Sequence, residues 1–267
     1  VHEIRNDLNP GFGGVHPEPI NQYLSALSGA ICMGKGSLGL ATDGDADRIG
    51  AMDERGVFVD PHKIMALSLN YLAEDRGLKG SVVRTVSTTR MIDLLAQRFG
   101  LTLHETPVGF NHIAEYMLKE DVLIGGEESG GISFLGHIPE GDGILMGLLM
   151  VEMVAKARIP LSEMVANLLE DVGPAFYARR DQRLSRPVAK EKMVQHLIND
   201  APAQIGGEQV AQVSTKDGVK YILADNSWLL IRPSGTEPVL RVYAEGRSGD
   251  MVRALLTYGE SIADGVS

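Results

Sequence analysis

The sequence predicts an α/β protein: layered mixed sheets with helices packed on them, followed by a smaller α+β domain. Three observations carry that expectation. From residue 60 to residue 169, short apolar strand-like runs alternate with helix-length segments, a spacing that builds a layered sheet with helices on it. After Gly173-Pro174 the order changes to a strand, a helix, several strands and a last helix, which marks a separate domain. Before residue 60 the chain is rich in loops, because Asn9-Pro10-Gly11-Phe12-Gly13-Gly14 and His16-Pro17-Glu18-Pro19 fix turns rather than regular elements.

Taken in order, a short helix is expected over residues 20–27, a buried strand over 38–41 and another over 49–52. Asp53-Glu54-Arg55-Gly56 turns the chain into Val57-Phe58-Val59. Asp60 caps a helix that Pro61 opens and Gly77 ends, with Ile64, Leu67 and Leu72 on its buried side. A strand at 81–86 precedes a helix capped by Thr88 or Thr89 and closed by Gly100. Strands at 101–104 and 121–124 flank a helix at 111–119, and helices at 142–157 and 161–169 complete the block. Beyond it come a strand at 175–181, a helix at 188–198, strands around the turn Lys216-Asp217-Gly218, and a helix at 249–262.

Composition narrows the function. At about 100–200 residues per domain, 267 residues make one large or two ordinary domains. A formal charge of −10 argues against a generic nucleic-acid or anionic-membrane binder, since both need a basic face. Any anionic ligand must be held by a local concentration of donors. The single cysteine, Cys32, excludes an internal disulfide framework and points to a reducing compartment. The apolar run at 144–155 is broken by Glu152 and is too short to span a bilayer, and the N-terminus lacks a secretory pattern. The expectation is a soluble, cytoplasmic protein, and a start at Val1 hints at a fragment.

Three motifs carry chemistry. In Thr42-Asp43-Gly44-Asp45-Ala46-Asp47-Arg48, three carboxylates at alternating positions repel one another unless a cation sits among them. A hard divalent ion such as Mg²⁺ relieves that repulsion and favours oxygen ligands, so Asp43, Asp45 and Asp47 are candidate metal ligands. A solvated acidic turn is the bland alternative. A calcium EF-hand loop is rejected: Glu54 falls at its twelfth position, but Arg48 occupies the sixth, where glycine is required. In Gly125-Gly126-Glu127-Glu128-Ser129-Gly130-Gly131, paired glycines permit close backbone approach, while Glu127 and Ser129 offer an acceptor and a donor for sugar hydroxyls. Alone, this stretch is equally an ordinary Gly-rich loop. In Arg232-Pro233-Ser234-Gly235-Thr236-Glu237-Pro238, directly after an apolar strand, a guanidinium fork, two hydroxyls and a glycine nest suit a phosphate. The alternative there is a proline-stiffened turn with a surface arginine.

In this order, the three motifs resemble those of the α-D-phosphohexomutase superfamily, the phosphoglucomutases, phosphomannomutases and their relatives. Asp43-Gly44-Asp45-Ala46-Asp47-Arg48 looks like its metal loop, Gly126-Glu127-Glu128-Ser129-Gly130 its sugar loop, and Arg232-Pro233-Ser234-Gly235-Thr236-Glu237-Pro238 its phosphate loop. Asn9-Pro10-Gly11-Phe12-Gly13-Gly14 looks like a family segment ahead of the metal loop. Family members have four domains. The resemblance implies that residues 1–56 end the second, 57–171 form the third, and 172–267 form a fourth, with an antiparallel sheet covered by helices. It also implies Mg²⁺ on Asp43, Asp45 and Asp47, with Arg48 supporting the anionic centre. Substrate contacts would come from Gly109, Glu127 and Ser129 and from Arg232, Ser234, Gly235 and Thr236 on the distal phosphate.

The implied reaction moves a phosphoryl group between the 1- and 6-positions of glucose or mannose through a hexose bisphosphate. The implied partners are hexose phosphates and the N-terminal domains. The family nucleophile is a phosphoserine in a Thr-Ala-Ser-His-Asn-Pro type run, which this sequence lacks, so the chain by itself is not expected to run the relay. Hinge closure near Val172-Gly173-Pro174 would exclude water. Two departures stand out. Asn111 occupies a position that is Lys in many members. Gly131 stands where several branches, phosphoglucosamine mutases among them, carry His, which favours glucose or mannose phosphate over the amino sugar. His104, His112 and His137 read as structural. A phosphoglucosamine mutase, a hexose bisphosphate synthase, a non-catalytic sugar-phosphate binder and a metal-binding structural module remain alternatives.

Overall fold

Regular structure begins late because the opening residues are turn-forming. The computed structural model describes residues 1–184, 190–234 and 238–266. The chain divides into two compact units, Val1–Val172 and Gly173–Ser267. In the first, single 3-10 turns at Phe12–Gly14 and Asn21–Tyr23 precede helix α1, Ser25–Cys32. The helix expected over 20–27 is therefore shifted toward the C-terminus. Ile20 is extended, and the residues that bury against a partner, Ala30 and Ile31, lie in the later stretch.

Strands β1 (Gly39–Thr42), β2 (Ile49–Met52) and β3 (Phe58–Val59) form an antiparallel sheet in that order. Thr42 pairs with Ile49 and Gly39 with Met52, so residues 43–48 are the loop of a hairpin. β2 is buried along its whole length. β1 is not the buried strand expected: Leu40 is half-buried and Thr42 exposed, because β1 lies at the sheet edge.

Asp60 caps helix α2 (Pro61–Asn70) by accepting from the Lys63 amide, and the helix runs on into a π-turn at Tyr71–Asp75. Then follow β4 (Ser81–Thr85), α3 (Met91–Arg98), β5 (Leu103–Thr106), α4 (Phe110–Met117), β6 (Val122–Gly126) and β7 (Ile132–Phe134). Of the two expected caps, Thr88 instead bonds Thr85 Oγ1 at 2.9 Å, while Thr89 Oγ1 accepts from the amide of Met91, the first residue of α3, at 3.1 Å. Helices α5 (Gly143–Ala157) and α6 (Leu161–Val172) close the unit, with Asp142 accepting from the Leu145 amide to cap α5.

The four-stranded sheet runs β5-β4-β6-β7, with β4 parallel to both β5 and β6, and β7 antiparallel at the edge. Three parallel strands therefore deliver their following loops, at 86–90, 107–109 and 127–131, to one edge. That edge is where ligands sit in layered α/β folds.

The second unit comprises β8 (Phe176–Arg183), α7 (Lys190–Asn199), β9 (Gln204–Ile205), β10 (Glu208–Ser214), β11 (Val219–Leu223), β12 (Trp228–Pro233), β13 (Val239–Gly246) and α8 (Gly249–Val266). Its sheet, β8-β13-β12-β11-β10-β9, is antiparallel throughout. Alternate residues Val219, Tyr221 and Leu223 of β11, with Leu229 and Ile231 of β12, bury against Met193 and Leu197 of α7 and Leu255 of α8. The order α+β and the antiparallel sheet are as expected.

Candidate functional site

The β1–β2 hairpin forces its three acids together. The ligand atoms of Asp43, Asp45 and Asp47 lie within 4.8 Å of one another. Ala46 takes a left-handed backbone, φ 63°, which turns the loop back so that successive aspartates converge. Arg48 closes the cluster: its amide donates to Asp43 Oδ1 at 3.2 Å, and its Nε lies 3.5 Å from Asp43 Oδ2 and 3.6 Å from Asp47 Oδ1. Burial, a hydrogen bond shared with Asp43, and the charges of Asp43 and Asp45 push the Asp47 carboxyl up to about 6, against the opposing pull of Arg48. Asp47 Oδ1 is buried and accepts no hydrogen bond. An all-oxygen donor set, crowded to the point of retaining a proton and holding one orphaned oxygen, fits a hard divalent cation.

This crowding has a pH signature. The folded chain holds the Asp47 proton up to about pH 6, whereas an unfolded chain releases it near 3.8. Between those values the folded state holds the extra proton on Asp47, so the contribution of this one carboxyl to stability falls as pH rises through the window. A cation takes the proton's place. The rise in melting temperature on adding Mg²⁺ should therefore be larger at about pH 7.5 than at about pH 5, measured by scanning calorimetry.

The second predicted loop meets the first. Ile49 N donates to Gly130 O at 3.2 Å, and Arg48 and Gly131 form an isolated antiparallel bridge. Gly143 N, at the start of α5, donates to Ala46 O at 2.8 Å. The acid loop thus rests on the Gly-rich loop and on an α5 terminus. Glycine is required at the contacts: a Cβ on Gly130 would lie 2.7 Å from Ile49 O, and one on Gly141 2.7 Å from Asp47 O.

Within the Gly-rich loop, Glu127 N donates to Gly131 O at 2.9 Å, and Glu127 Oε1 accepts from the Gly109 amide at 2.8 Å. Gly109, at φ 133°, sits before α4 and so joins Glu127 in one structure. Ser129 is half-exposed on the same loop. Asp43, Asp45, Asp47, Arg48, Gly109, Glu127 and Ser129 thus belong to connected segments of one unit.

Sequence reasoning missed several supports. The Phe12 ring packs on Gly44, where an added Cβ would sit 3.0 Å from its Cζ, and Pro17 backs the same glycine. Glu18 Oε1 lies 4.0 Å from Arg48 Nη1. The turn-rich segment around Phe12 was legible as a motif, but its seat was not. Gly141 and Gly143 carried no signal at all, because nothing local distinguishes a helix-start glycine from one pressed against a distant backbone. Of the three histidines, His104 Nε2 lies 2.8 Å from Glu120 Oε1 and its ring stacks on Tyr116, and His137 Nε2 lies 3.0 Å from Asp142 Oδ2.

In the second unit, Arg232 stands on β12 with its Nε 2.6 Å from Asp217 Oδ2. That pairing orients the guanidinium, and Arg241 lies directly opposite Arg232 on β13. Ser234 N donates to Val239 O at 2.9 Å, continuing the β12–β13 pairing by one residue. Gly235 and Thr236 lie outside the described residues.

Fold and site define a layered α/β protein with an oxygen-ligand acidic cluster beside a Gly-rich loop, followed by an antiparallel α+β unit. Family models match each segment: phosphoglucomutase/phosphomannomutase alpha/beta/alpha domain II at residues 1–56, alpha/beta/alpha domain III at 60–172, and the C-terminal domain at 186–257. The chain belongs to the α-D-phosphohexomutase superfamily. A phosphoglucosamine mutase from Exiguobacterium is 33% identical over 91% of this chain and 48% of its own length. A phosphoglucomutase/phosphomannomutase from Thermococcus kodakarensis is 31% identical over 93% of this chain and 52% of its own. The crystal structure of a Thermus thermophilus protein of provisional phosphomannomutase assignment superposes with a TM-score of 0.81 at 36% identity, covering 98% of this chain and 54% of that one. The chain spans about half the length of the curated relatives it matches. Among the described residues, no helix is long and apolar enough to cross a membrane.

Proposed function

We propose that this chain is the part of a hexose-phosphate mutase that holds the metal and grips the sugar phosphate, acting with a phosphoserine that its own sequence does not contain. The observation that carries the reading is the seating of the acid loop on the Gly-rich loop, through Ile49 N to Gly130 O and the Arg48–Gly131 bridge. On this reading residues 1–56 end one domain, 57–171 form the next and 172–267 the last.

In the assigned roles, Asp43, Asp45 and Asp47 hold Mg²⁺, which when bound neutralises charge on the phosphoryl group being transferred. Arg48 keeps the carboxylates turned toward one point and balances their charge. Gly109 fixes the Glu127 carboxylate by donating its amide, leaving Glu127 and Ser129 to hold sugar hydroxyls common to both orientations of a bisphosphorylated hexose. Arg232, with Ser234, Gly235 and Thr236, clamps the distal phosphate, and the Asp217 contact holds the Arg232 fork in place. The substrate is a glucose or mannose phosphate, as Gly131 favours. The similarity to phosphoglucosamine mutases supports the amino-sugar phosphate as the second reading. Hexose bisphosphate synthesis and ligand binding without turnover are the remaining outcomes a turnover assay separates. The chain alone is expected to bind Mg²⁺ and to show no mutase turnover, and the working compartment is taken as the cytoplasm.

Two substitutions test this. Asp45 is exposed, so Asp45→Asn should leave the fold intact while weakening Mg²⁺ binding by roughly tenfold or more, since affinity follows the ligand charge count. Unchanged affinity by titration calorimetry removes the metal assignment. Arg232→Ala in the full-length enzyme should raise the KM for hexose 6-phosphate roughly tenfold or more, the scale of a lost charged hydrogen bond. An unaltered KM removes the clamp, and the ratio of kcat/KM for glucose, mannose and glucosamine phosphates decides the substrate.

A further inference from the structure

The acid loop leans on three consecutive residues of a distant segment. Gly143 N donates to Ala46 O at 2.8 Å. The Cβ position of Gly141 lies 2.7 Å from Asp47 O, and that of Gly143 lies 2.8 Å from the carbonyl carbon of Arg48. The carbonyls of Ala46, Asp47 and Arg48 therefore rest against the backbone of residues 141–143. Between the two glycines stands Asp142, the one member of this platform with a side chain to hold. Its Oδ1 accepts from the Leu145 amide at 2.8 Å and caps α5, and its Oδ2 lies 3.0 Å from His137 Nε2. Among the described residues, these are the two polar contacts of the Asp142 carboxylate.

His137 belongs to the loop between β7 and α5, residues 135–142. Backbone and hydroxyl bonds fold that loop: His137 N donates to Phe134 O at 3.2 Å, Ser133 Oγ to Ile138 O at 3.1 Å, and Asp142 N to Ile132 O at 3.2 Å. The ring then ties the loop to the start of the helix. His137 Nε2 is shielded from solvent, so an N–H there has the Asp142 carboxylate as its counterpart. His104 also pairs with a carboxylate, but its contacts are with Glu120 and Tyr116 beside β5.

The acid loop needs support from outside itself. Three carboxylates whose ligand atoms lie within 4.8 Å of one another push it open until a cation arrives. A loop already held in its cation-bearing shape has less ordering left to undergo, so a rigid platform shows up as cation affinity. Groups that orient a metal site from beyond its ligands act in this way. We propose that His137 is a positioning residue for the acid loop. By holding the second oxygen of Asp142 it fixes residues 141–143 beneath Ala46, Asp47 and Arg48, and so raises the affinity of the three aspartates for a divalent cation. The inference rests on the assignment of those aspartates to a cation.

The test needs this chain alone, with Mg²⁺ titration calorimetry and hydrogen exchange at the Gly143 amide in metal-free buffer. His137→Ala removes the ring at a half-buried loop position. It should weaken Mg²⁺ binding roughly fivefold or more and speed Gly143 exchange by a similar factor, with exchange at Val82 and Val83 of β4 unchanged. His137→Gln places a carboxamide N–H near the Nε2 position and should restore both quantities to within about twofold of wild type. His104→Ala, which removes the other pair, should leave Mg²⁺ affinity unchanged. A wild-type chain that takes up no Mg²⁺ removes the assignment of the acids and this inference with it. Wild-type binding matched by His137→Ala removes this inference alone. So does unchanged Gly143 exchange, a glutamine variant no better than alanine, or an equal loss of affinity in His104→Ala.

Discussion

Gly143→Ala should destabilise the first unit by about 3 kcal/mol, whereas Gly147→Ala, one turn further along the same helix, should stabilise it by up to about 1 kcal/mol. The difference lies in what a methyl group meets. At position 143 it would press into the carbonyl of Arg48, 2.8 Å from the carbonyl carbon and 3.1 Å from Ala46 O. Those are backbone atoms of the acid loop, with no flexible end to swing aside. Either α5 retreats or the loop is pushed off, and both break the bond from Gly143 N to Ala46 O. At position 147 the new methyl finds Leu40 Cδ1 at 3.4 Å and Ile49 Cδ1 at 3.6 Å, ordinary contact distances, and gains the helix preference of alanine over glycine. Denaturant melts of the two variants check the opposite signs. Mg²⁺ titration of Gly143→Ala should show weakened binding as well, since the acids are displaced with the loop. Equal stability of the two variants would show that the contact of α5 with the acid loop is not tight.

Arg84→Leu should cost about 3 kcal/mol, the scale of breaking a buried ion pair by removing one partner. Arg84 lies on β4, 7% exposed, with Nε and Nη2 at 2.7 and 2.6 Å from the two Asp93 oxygens and Nη1 2.6 Å from Glu105 Oε2. Those charge-assisted contacts outweigh burial and hold the guanidinium well above its usual range. With leucine in its place, two carboxylates from α3 and β5 face one another without a cation. The triple variant Arg84→Leu, Asp93→Asn, Glu105→Gln should recover part of the loss, because the penalty comes from stranded charge more than from the missing pair. A triple variant no more stable than the single one would place the cost in packing instead. The consequence for the site is indirect: β4 carries Thr85 and leads to Thr88, whose hydroxyls bond each other at 2.9 Å just where the sheet gives way to the loops at its ligand-bearing edge.

Much of this architecture was legible in the residues. Asp60-Pro61 announced α2, because a capping carboxylate and a proline at the first turn act locally, and the helix expected over 142–157 is found at Gly143–Ala157. The alternation of strands and helices gave the layered sheet, and the change of order after Gly173-Pro174 coincides with the start of the second unit. Where the reading went astray, tertiary contact overrode local preference. α1 starts at Ser25 and not at Ile20, because burial of Ala30 and Ile31 selects the later register. β1 reads as a buried strand from its composition but stands at an edge, since strand order is not encoded in one strand's own residues.

The sequence by itself determined which groups are available: three acids at alternate positions with an arginine behind them, a glycine-rich loop bearing Glu127 and Ser129, and an arginine turn ending an apolar strand. Chain spacing and side-chain chemistry suffice for that, because each motif is assembled from neighbours. Only the tertiary structure decided that Gly109 donates to Glu127, that the acid loop lies on Gly130 and Gly131, and that Gly141 and Gly143 exist to let it lie there. Those contacts join residues distant in the chain, and each has on at least one side a backbone atom that every residue shares. No side-chain pattern can announce them, and they appear only once the sheet has set its strand order.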